Sequence, residues 1–321
     1  MARRELGRAA LRVAHAVADA LPDSPVIVGC SGGADSTALA LGAHWAARRA
    51  GTSVRVMVVD HGLQPGSSQV ADAVVGRLAE RGLEATVERL HLGRPHTGGV
   101  EAAAREARLQ ALASPGLPVL LGHTLDDQAE TVLLGLLRGS GTRSLAGMAE
   151  ERGPFLRPLL GLRRTDTQQA CAQWGVEVWE DPMNDDARFA RVAARGVLRD
   201  LSEAWGRDLA PALARTATLA RADADLLDEL ARDAVADADE LDVTDLGGLP
   251  DALRWRAIHH WLAAWSPEVG MVHVLAVAAL VDRWRGQGPV AVPGGAVARR
   301  SGRLAFQPGA PTPGADSAPG R

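Results

Sequence analysis

Six residues, Ser31-Gly32-Gly33-Ala34-Asp35-Ser36, carry the first chemistry visible in the chain. They follow the apolar run "SPVIVGC" and open an alanine- and leucine-rich stretch that continues to about Arg49. A strand, a glycine turn and a helix start make an anion site, because free backbone N–H groups point outward and the helix dipole adds positive potential. Gly32 and Gly33 let the backbone approach a phosphate without an intervening side chain. Ser31 and Ser36 add hydroxyl donors. Walker-type phosphate loops end in Gly-Lys, yet this chain has no lysine; its 35 basic residues are all arginine. Asp35 would repel phosphate directly, so a carboxylate here implies an intervening Mg2+ ion or water. A bare S-G-G turn is common in structural loops. The full S-G-G-x-D-S between a β-branched strand and a helix is far more specific.

A second constellation follows "PVLLGH" (118–123), where "LDDQAETVLLGLLRG" has helical spacing. Asp127 and Glu130 are three apart and project from one helix face. Such a pair can hold a cation, and one of the two can accept a proton from an amine. The plain alternative is an acid-rich first helical turn, which is common. His123 stands at the end of the preceding apolar run, and Asp60 at the end of "SVRVMVVD" (53–60). His123 either touches a ligand or caps the strand. Glu101 and Arg105 are placed for an ordinary i,i+4 surface bridge.

The elements that position these residues alternate in type. Strand patterns at "SPVIVGC", "SVRVMVVD", "EATVERLHL", "PVLLGH" and "VEVWED" are separated by helical ones. Repeated βα units predict an α/β fold, a parallel five-stranded sheet with helices on both faces. Ligands of such sheets bind beyond the carboxyl ends of the strands, so Ser31, Asp60 and His123 should face one crevice. From about residue 189 the pattern turns helical, predicting a smaller, mainly helical C-terminal domain. "LRWRAIHHWLAAW" puts Leu253, Ile258, Trp261, Leu262 and Trp265 on one face, with His259 and His260 read as structural. "MVHVLAVAALV" reads as a buried helix, too short to span a membrane, and 289–307 as a small hairpin. The expected division is 1–204, 205–307 and a Pro/Gly/Ala-rich tail, 308–321, without apolar periodicity.

Composition narrows the classes. Two cysteines, Cys30 and Cys171, form no C-x-x-C pair, which argues against a disulfide scaffold or zinc ribbon and fits a reducing cytoplasm. The arginine-rich N terminus also holds Glu5 and Asp19, so it reads as an amphipathic helix rather than a transit peptide. A net charge of −4 gives no general attraction to nucleic acid. Arginines nevertheless crowd residues 138–199, and acids crowd 221–245. Either these are two solvated faces, or the first meets phosphate. Arg188, Arg191, Arg195 and Arg199 share one face if helical.

The S-G-G-A-D-S segment resembles the PP-loop of the N-type ATP pyrophosphatases, which split ATP between its α- and β-phosphates. The loop then cradles departing pyrophosphate and needs no lysine for a γ-phosphate. "VVDHGLQPGS" (58–67), "EAAAREARLQAL" (101–112), "GHTLDDQAETVLLGLLRGSG" (122–141), "RPLL" (157–160) and "EDPMNDDARFAR" (180–191) are similar to the signatures of the tRNA(Ile)-lysidine synthetase family. The resemblance covers roughly the first 200 residues. It implies adenylation by ATP of the wobble cytidine of a tRNA(Ile) with a CAU anticodon, and displacement of AMP by free L-lysine. It implies ATP contacts from residues 31–36, Asp60 and His61, with Mg2+ at Asp35. Asp35, Asp127, Glu130 and Arg105 would carry the chemistry. His123, Asp126, Asp127, Glu130, Arg108, Arg191 and Arg195 would meet lysine or tRNA. A cytoplasmic enzyme, in some cases a homodimer, is expected. Two departures stand out: Leu109 where relatives carry an aromatic, and Arg191-Val192-Ala193-Ala194-Arg195 where they read R-N-R-I-R. The region after residue 205 is short, as in compact family members. The rival readings are a tRNA 2-thiolation enzyme on the same fold and a non-catalytic RNA-binding homologue.

Overall fold

The computed structural model describes residues 6–62, 66–90, 99–139, 141–179, 190–236 and 238–309. Arg188, most of the 180–191 motif, the Glu101 side chain and the tail beyond residue 309 lie outside them. The chain divides into two compact units, Met1–Ala220 and Arg221–Arg321.

The first unit is built on a six-stranded sheet: β1 (Val26–Gly29), β2 (Val54–Asp60), β3 (Glu84–Arg89), β4 (Val119–Leu121), β5 (Glu151–Arg152) and β6 (Phe155–Leu156). The order is β3-β2-β1-β4-β6-β5, parallel except for edge strand β5. Ile27 stands opposite Val119 and Arg55. Side-chain alternation splits the core. Val26, Val28, Val56, Val58 and Leu120 pack on α1 (Arg8–Ala20), α2 (Ala34–Ala50), α3 (Ser67–Ala79) and α7 (Arg164–Trp174). Ile27, Met57, Val119 and Leu121 pack on Leu112 of α4 (Gly99–Ala113). Helices thus cover both faces, as the βα alternation predicts. The arginine-rich N terminus becomes α1, which buries Ala9, Ala10, Val13, Ala14 and Val17.

The expected fifth strand is corrected. Residues 176–179 of "VEVWED" are irregular, and Val176 and Val178 pack against the core instead of pairing. The place beside β4 belongs to β6, delivered by a two-residue turn at Gly153-Pro154. The remaining helices of this part are α5 (Leu125–Leu137), α6 (Thr142–Leu145) and α8 (Ala190–Ala204); α9 (Ala210–Asp233) begins in it and continues past Ala220 into the second unit.

The second unit holds β7 (Glu240–Asp242), α10 (Val243–Gly248), α11 (Asp251–Ala263), α12 (Met271–Asp282), β8 (Val290–Val292), β9 (Gly295–Arg300) and β10 (Arg303–Pro308). The hairpin expected at 289–307 is three antiparallel strands, and β7 joins them to give the order β7-β10-β9-β8. Ile258, Trp261, Leu262, Val274, Val277, Leu280, Val297 and Leu304 form its core. Trp265 is not part of that buried face: it is 47% exposed and stacks on Phe306 at 4.7 Å. Helix α12 is buried on one side only, since Met271, Val272 and Leu275 are exposed. Among the described residues no helix is long and apolar enough to cross a membrane.

Candidate active site

The glycine loop leaves the carboxyl end of β1 and enters α2 at Gly33, whose backbone is extended and bears no side-chain cap. The first N–H groups of α2 are therefore open to an anion. Gly32 has φ +86°, and a Cβ there would lie 2.4 Å from Val74 Cγ2, so both backbone and space demand glycine. Its carbonyl accepts from the Trp179 N–H at 2.9 Å, which pins the loop from outside. Ser36 is buried and turned inward. Its hydroxyl accepts from the Ser31 N–H and donates to the Gly33 carbonyl, each at 3.1 Å. Ser36 shapes the loop, whereas Ser31 is exposed, with its hydroxyl 3.2 Å from that of Ser36.

Gly122, at the end of β4, lets this strand end approach the first turn of α2. A Cβ there would stand 3.0 Å from the Asp35 carbonyl carbon and oxygen. The chain then enters α5 through Thr124, which forms a capping box with Asp127. Asp127 Oδ2 accepts from the Thr124 N–H and hydroxyl, both at 2.8 Å. This lock fixes the first turn of α5 and aims Asp127 and Glu130 together.

They converge with Asp35 on one guanidinium. Arg164, the first residue of α7, reaches Asp127 Oδ1 at 2.8 Å through Nη2, Glu130 Oε1 at 3.3 Å through Nη1 and Asp35 Oδ2 at 3.4 Å through Nε. Thr167, one turn later, donates to the other Asp35 oxygen. Arg195 of α8 adds a 3.0 Å bond to Glu130 Oε1. Asp126 points elsewhere on α5: it accepts from the Arg164 N–H at 2.7 Å and from the Arg163 guanidinium at 2.8 Å. Burial pushes Asp35 upward, and nearby Asp127 adds to the shift against the pull of Thr167 and Arg164. For Asp127 burial also acts upward, but Arg164, the Thr124 bonds and His123 outweigh it and leave the group below its usual range. Glu130 is 1% exposed and its Oε2 has no hydrogen-bond partner among the described residues.

Around His123 the charge is reversed. Burial drives its pKa down to about 3; Asp127 opposes this, while Arg191, Arg157 and Arg105 reinforce it. The ring is neutral near pH 7, with a buried Nδ1 that lacks a partner among the described residues. Arg108 is pushed below the usual arginine range, by burial and then by Arg191. Asp60 is raised by burial but lowered further by bonds from Ser67, the Gly62 N–H (3.0 Å) and Ser68 (2.8 Å). Its oxygens therefore tie the turn after β2 to the start of α3. His61, beside it, has an unpartnered buried Nδ1 among the described residues.

The structure thus joins Asp35, Asp127, Glu130 and Arg195, and gathers His123, Arg105, Arg108 and Arg191 electrostatically. Part of the basic block is occupied with acids: besides Arg164 and Arg195, Arg163 pairs with Asp126 and Asp208, and exposed Arg199 with Asp200. The stripe expected along α8 is therefore divided, since Arg195 turns to Glu130 while Arg199 stays on the surface. Sequence reasoning passed over Arg164 and Thr167. The signal was present in "LRRTDT", because two cations at a helix start oppose its dipole and need acids from elsewhere. A cleft of about 540 Å³, lined by Asp126, Glu130, Arg163, Arg164, Arg195 and the start of α9, opens beside these groups. It offers both signs of charge to a zwitterion.

A family model described as a PP-loop domain matches residues 7–201, and one described as the TilS substrate binding domain matches residues 241–305. The tRNA(Ile)-lysidine synthase of Cutibacterium acnes is 47% identical over 311 residues, covering 95% of this chain and 98% of its own. That of Nocardia farcinica is 49% identical over 302 residues, covering 90% and 93%. Among solved structures, the U34-tRNA thiolase NcsA from Methanococcus maripaludis, with its [4Fe-4S] cluster, has a TM-score of 0.52 at 16% identity. It covers 66% of this chain and 78% of its own, and shows a shared fold alone. With relatives this similar over nearly the whole length, the chain belongs to the tRNA(Ile)-lysidine synthase family.

Proposed function

We propose that the protein joins free L-lysine to C2 of the wobble cytidine of a tRNA(Ile) with a CAU anticodon, at the expense of ATP. The cytidine oxygen attacks the α-phosphorus of ATP and pyrophosphate leaves. A lysine amine then attacks C2, AMP departs with the oxygen, and the amine gives up its proton. The observation that carries the reading is the junction of Asp35 on the phosphate loop with Asp127 and Glu130 on α5, beside an uncapped helix start and a cleft of mixed charge.

In this reading the open N–H groups of α2 and the Ser31 hydroxyl hold the phosphates, with Asp60 and His61 ordering the nucleotide side. Mg2+ fits Asp35 in its common mode of one carboxylate plus substrate phosphates, where it would neutralise charge on the leaving pyrophosphate. Asp127 and the buried Glu130 Oε2, without a partner among the described residues, receive a lysine ammonium, and one of them accepts its proton. Arg105 and Arg108 steady negative charge at the adenylated base, and neutral His123 meets it without adding charge. Residues 1–204 form the catalytic domain and 205–307 the tRNA-associated one. A cytoplasmic setting follows from the same reading. The sulfur-transfer rival is disfavoured because both thiols are buried and protonated: burial raises Cys30, and burial followed by Asp35 pushes Cys171 up to about 12.

The test incubates purified protein with ATP, L-lysine and the tRNA transcript. Pyrophosphate release and a base mass increase corresponding to lysine minus water are expected. Nucleotide turnover with no change in the tRNA would sink the proposal.

A further inference from the structure

We infer that Arg164 is a positioning residue that couples the two small-substrate sites, standing in for the lysine ammonium until nucleotide draws it away. The inference rests on the assignment of Asp127 and Glu130 to lysine.

The guanidinium spans carboxylates from two elements, Asp35 of α2 and Asp127 and Glu130 of α5. Only the Asp127 contact, 2.8 Å, has the length of a strong charge-assisted bond; those to Glu130 and Asp35 are 3.3 and 3.4 Å. The cation is shared among three anions with its firmest hold on Asp127, so releasing the α5 pair takes added negative charge on the Asp35 side. Its backbone is anchored, because Asp126 accepts the Arg164 N–H at 2.7 Å. Movement is thereby confined to the side chain. A lysine ammonium arriving without nucleotide must compete with Arg164 for Glu130 and Asp127. Phosphates arriving at α2 place several negative charges beside Asp35, the acid Arg164 already touches. The guanidinium then shifts toward them and leaves the α5 carboxylates to lysine. ATP should therefore tighten lysine binding through this one side chain, and by reciprocity lysine should tighten ATP.

Calorimetric titration of L-lysine into the full chain, with and without a non-hydrolysable ATP analogue and Mg2+, tests this. Wild type should bind lysine about tenfold more tightly with the analogue, a typical coupling. Arg164→Gln should bind lysine more tightly than wild type when nucleotide is absent, and the analogue should then add little. A purely structural role predicts the opposite, weaker lysine binding throughout. Arg164→Lys keeps a charge but cannot span three carboxylates, so it should retain only part of the coupling; it replaces the Gln variant if that fails to fold. Unchanged coupling in these variants, with lysine binding lost in Glu130→Gln, would overturn the role of Arg164 alone. Lysine binding untouched by Glu130→Gln would overturn the lysine site and this inference with it.

Discussion

Glu130 has two unlike oxygens: Oε1 is shared by Arg164 and Arg195, while Oε2 is buried without a partner among the described residues. A buried acceptor left open costs free energy unless a ligand fills it. Glu130→Gln keeps the volume and removes the charge. Since hydrogen bonds to charged groups contribute about 1.5–3 kcal/mol, the KM for lysine should rise roughly ten- to hundredfold while that for ATP hardly moves. Steady-state kinetics in each substrate decides it; a selective rise for ATP would assign Glu130 to the nucleotide. His123 offers a pH test. Its pKa is pushed down to about 3 in the folded protein, against about 6.5 when unfolded. The unfolded state binds the extra proton, so stability is kept above pH 6.5 and lost as pH falls from there toward 3. Between pH 6.5 and 5 this one group accounts for up to about 2 kcal/mol of lost stability. His123→Asn should flatten the denaturation profile over that interval. His44 and His260, both held low by burial, titrate in wild type and variant alike, so the difference isolates His123.

At the scale of elements, the site depends on how closely the end of β4 meets the start of α2. Gly122 has Asp35 backbone atoms, not a flexible side chain, at the place where a Cβ would stand. Gly122→Ala should therefore move the first turn of α2, cost about 1–3 kcal/mol as an overpacking change, and raise the KM for ATP. Chemical denaturation and ATP–pyrophosphate exchange measure the two effects; full exchange in the variant would show that the approach is dispensable. The shared direction of Asp127 and Glu130 was visible in advance, because helix spacing alone sets it; the capping box of Thr124 and Asp127 came only with the structure. The partner of those acids was not visible. Arg164 lies 34 residues beyond Glu130 and reaches it only because α7 begins beside α5 in three dimensions.

For the whole molecule, each unit has its own core. Leu304 of β10 is fully buried in the second. Leu304→Ala should cost about 2–5 kcal/mol there, weaken tRNA binding, and leave binding of an ATP analogue intact. Calorimetry with separate nucleotide and tRNA titrations checks this; loss of nucleotide binding would tie the PP-loop unit to that core. Net charge of −4 says little about where tRNA sits, since Arg163, Arg164 and Arg195 are paired with acids rather than displayed.

The sequence by itself determined the phosphate loop, the strands β1 to β4, the helices between them and the acid pair on α5. Each depends on local periodicity, glycine conformation or spacing within one helix. Tertiary structure decided the rest. Strand β6 is two residues long and carries too little pattern to be seen, whereas "VEVWED" alternates as a strand does but uses its valines to cover the core. Strand β7 needed β10, more than 60 residues later, to become a strand at all. The arginines of the basic block read either as a solvated face or as one that meets phosphate, and folding brought Asp35, Asp126, Asp127 and Glu130 within bonding distance of three of them. A charge counted along the chain has no partner; only the fold assigns one.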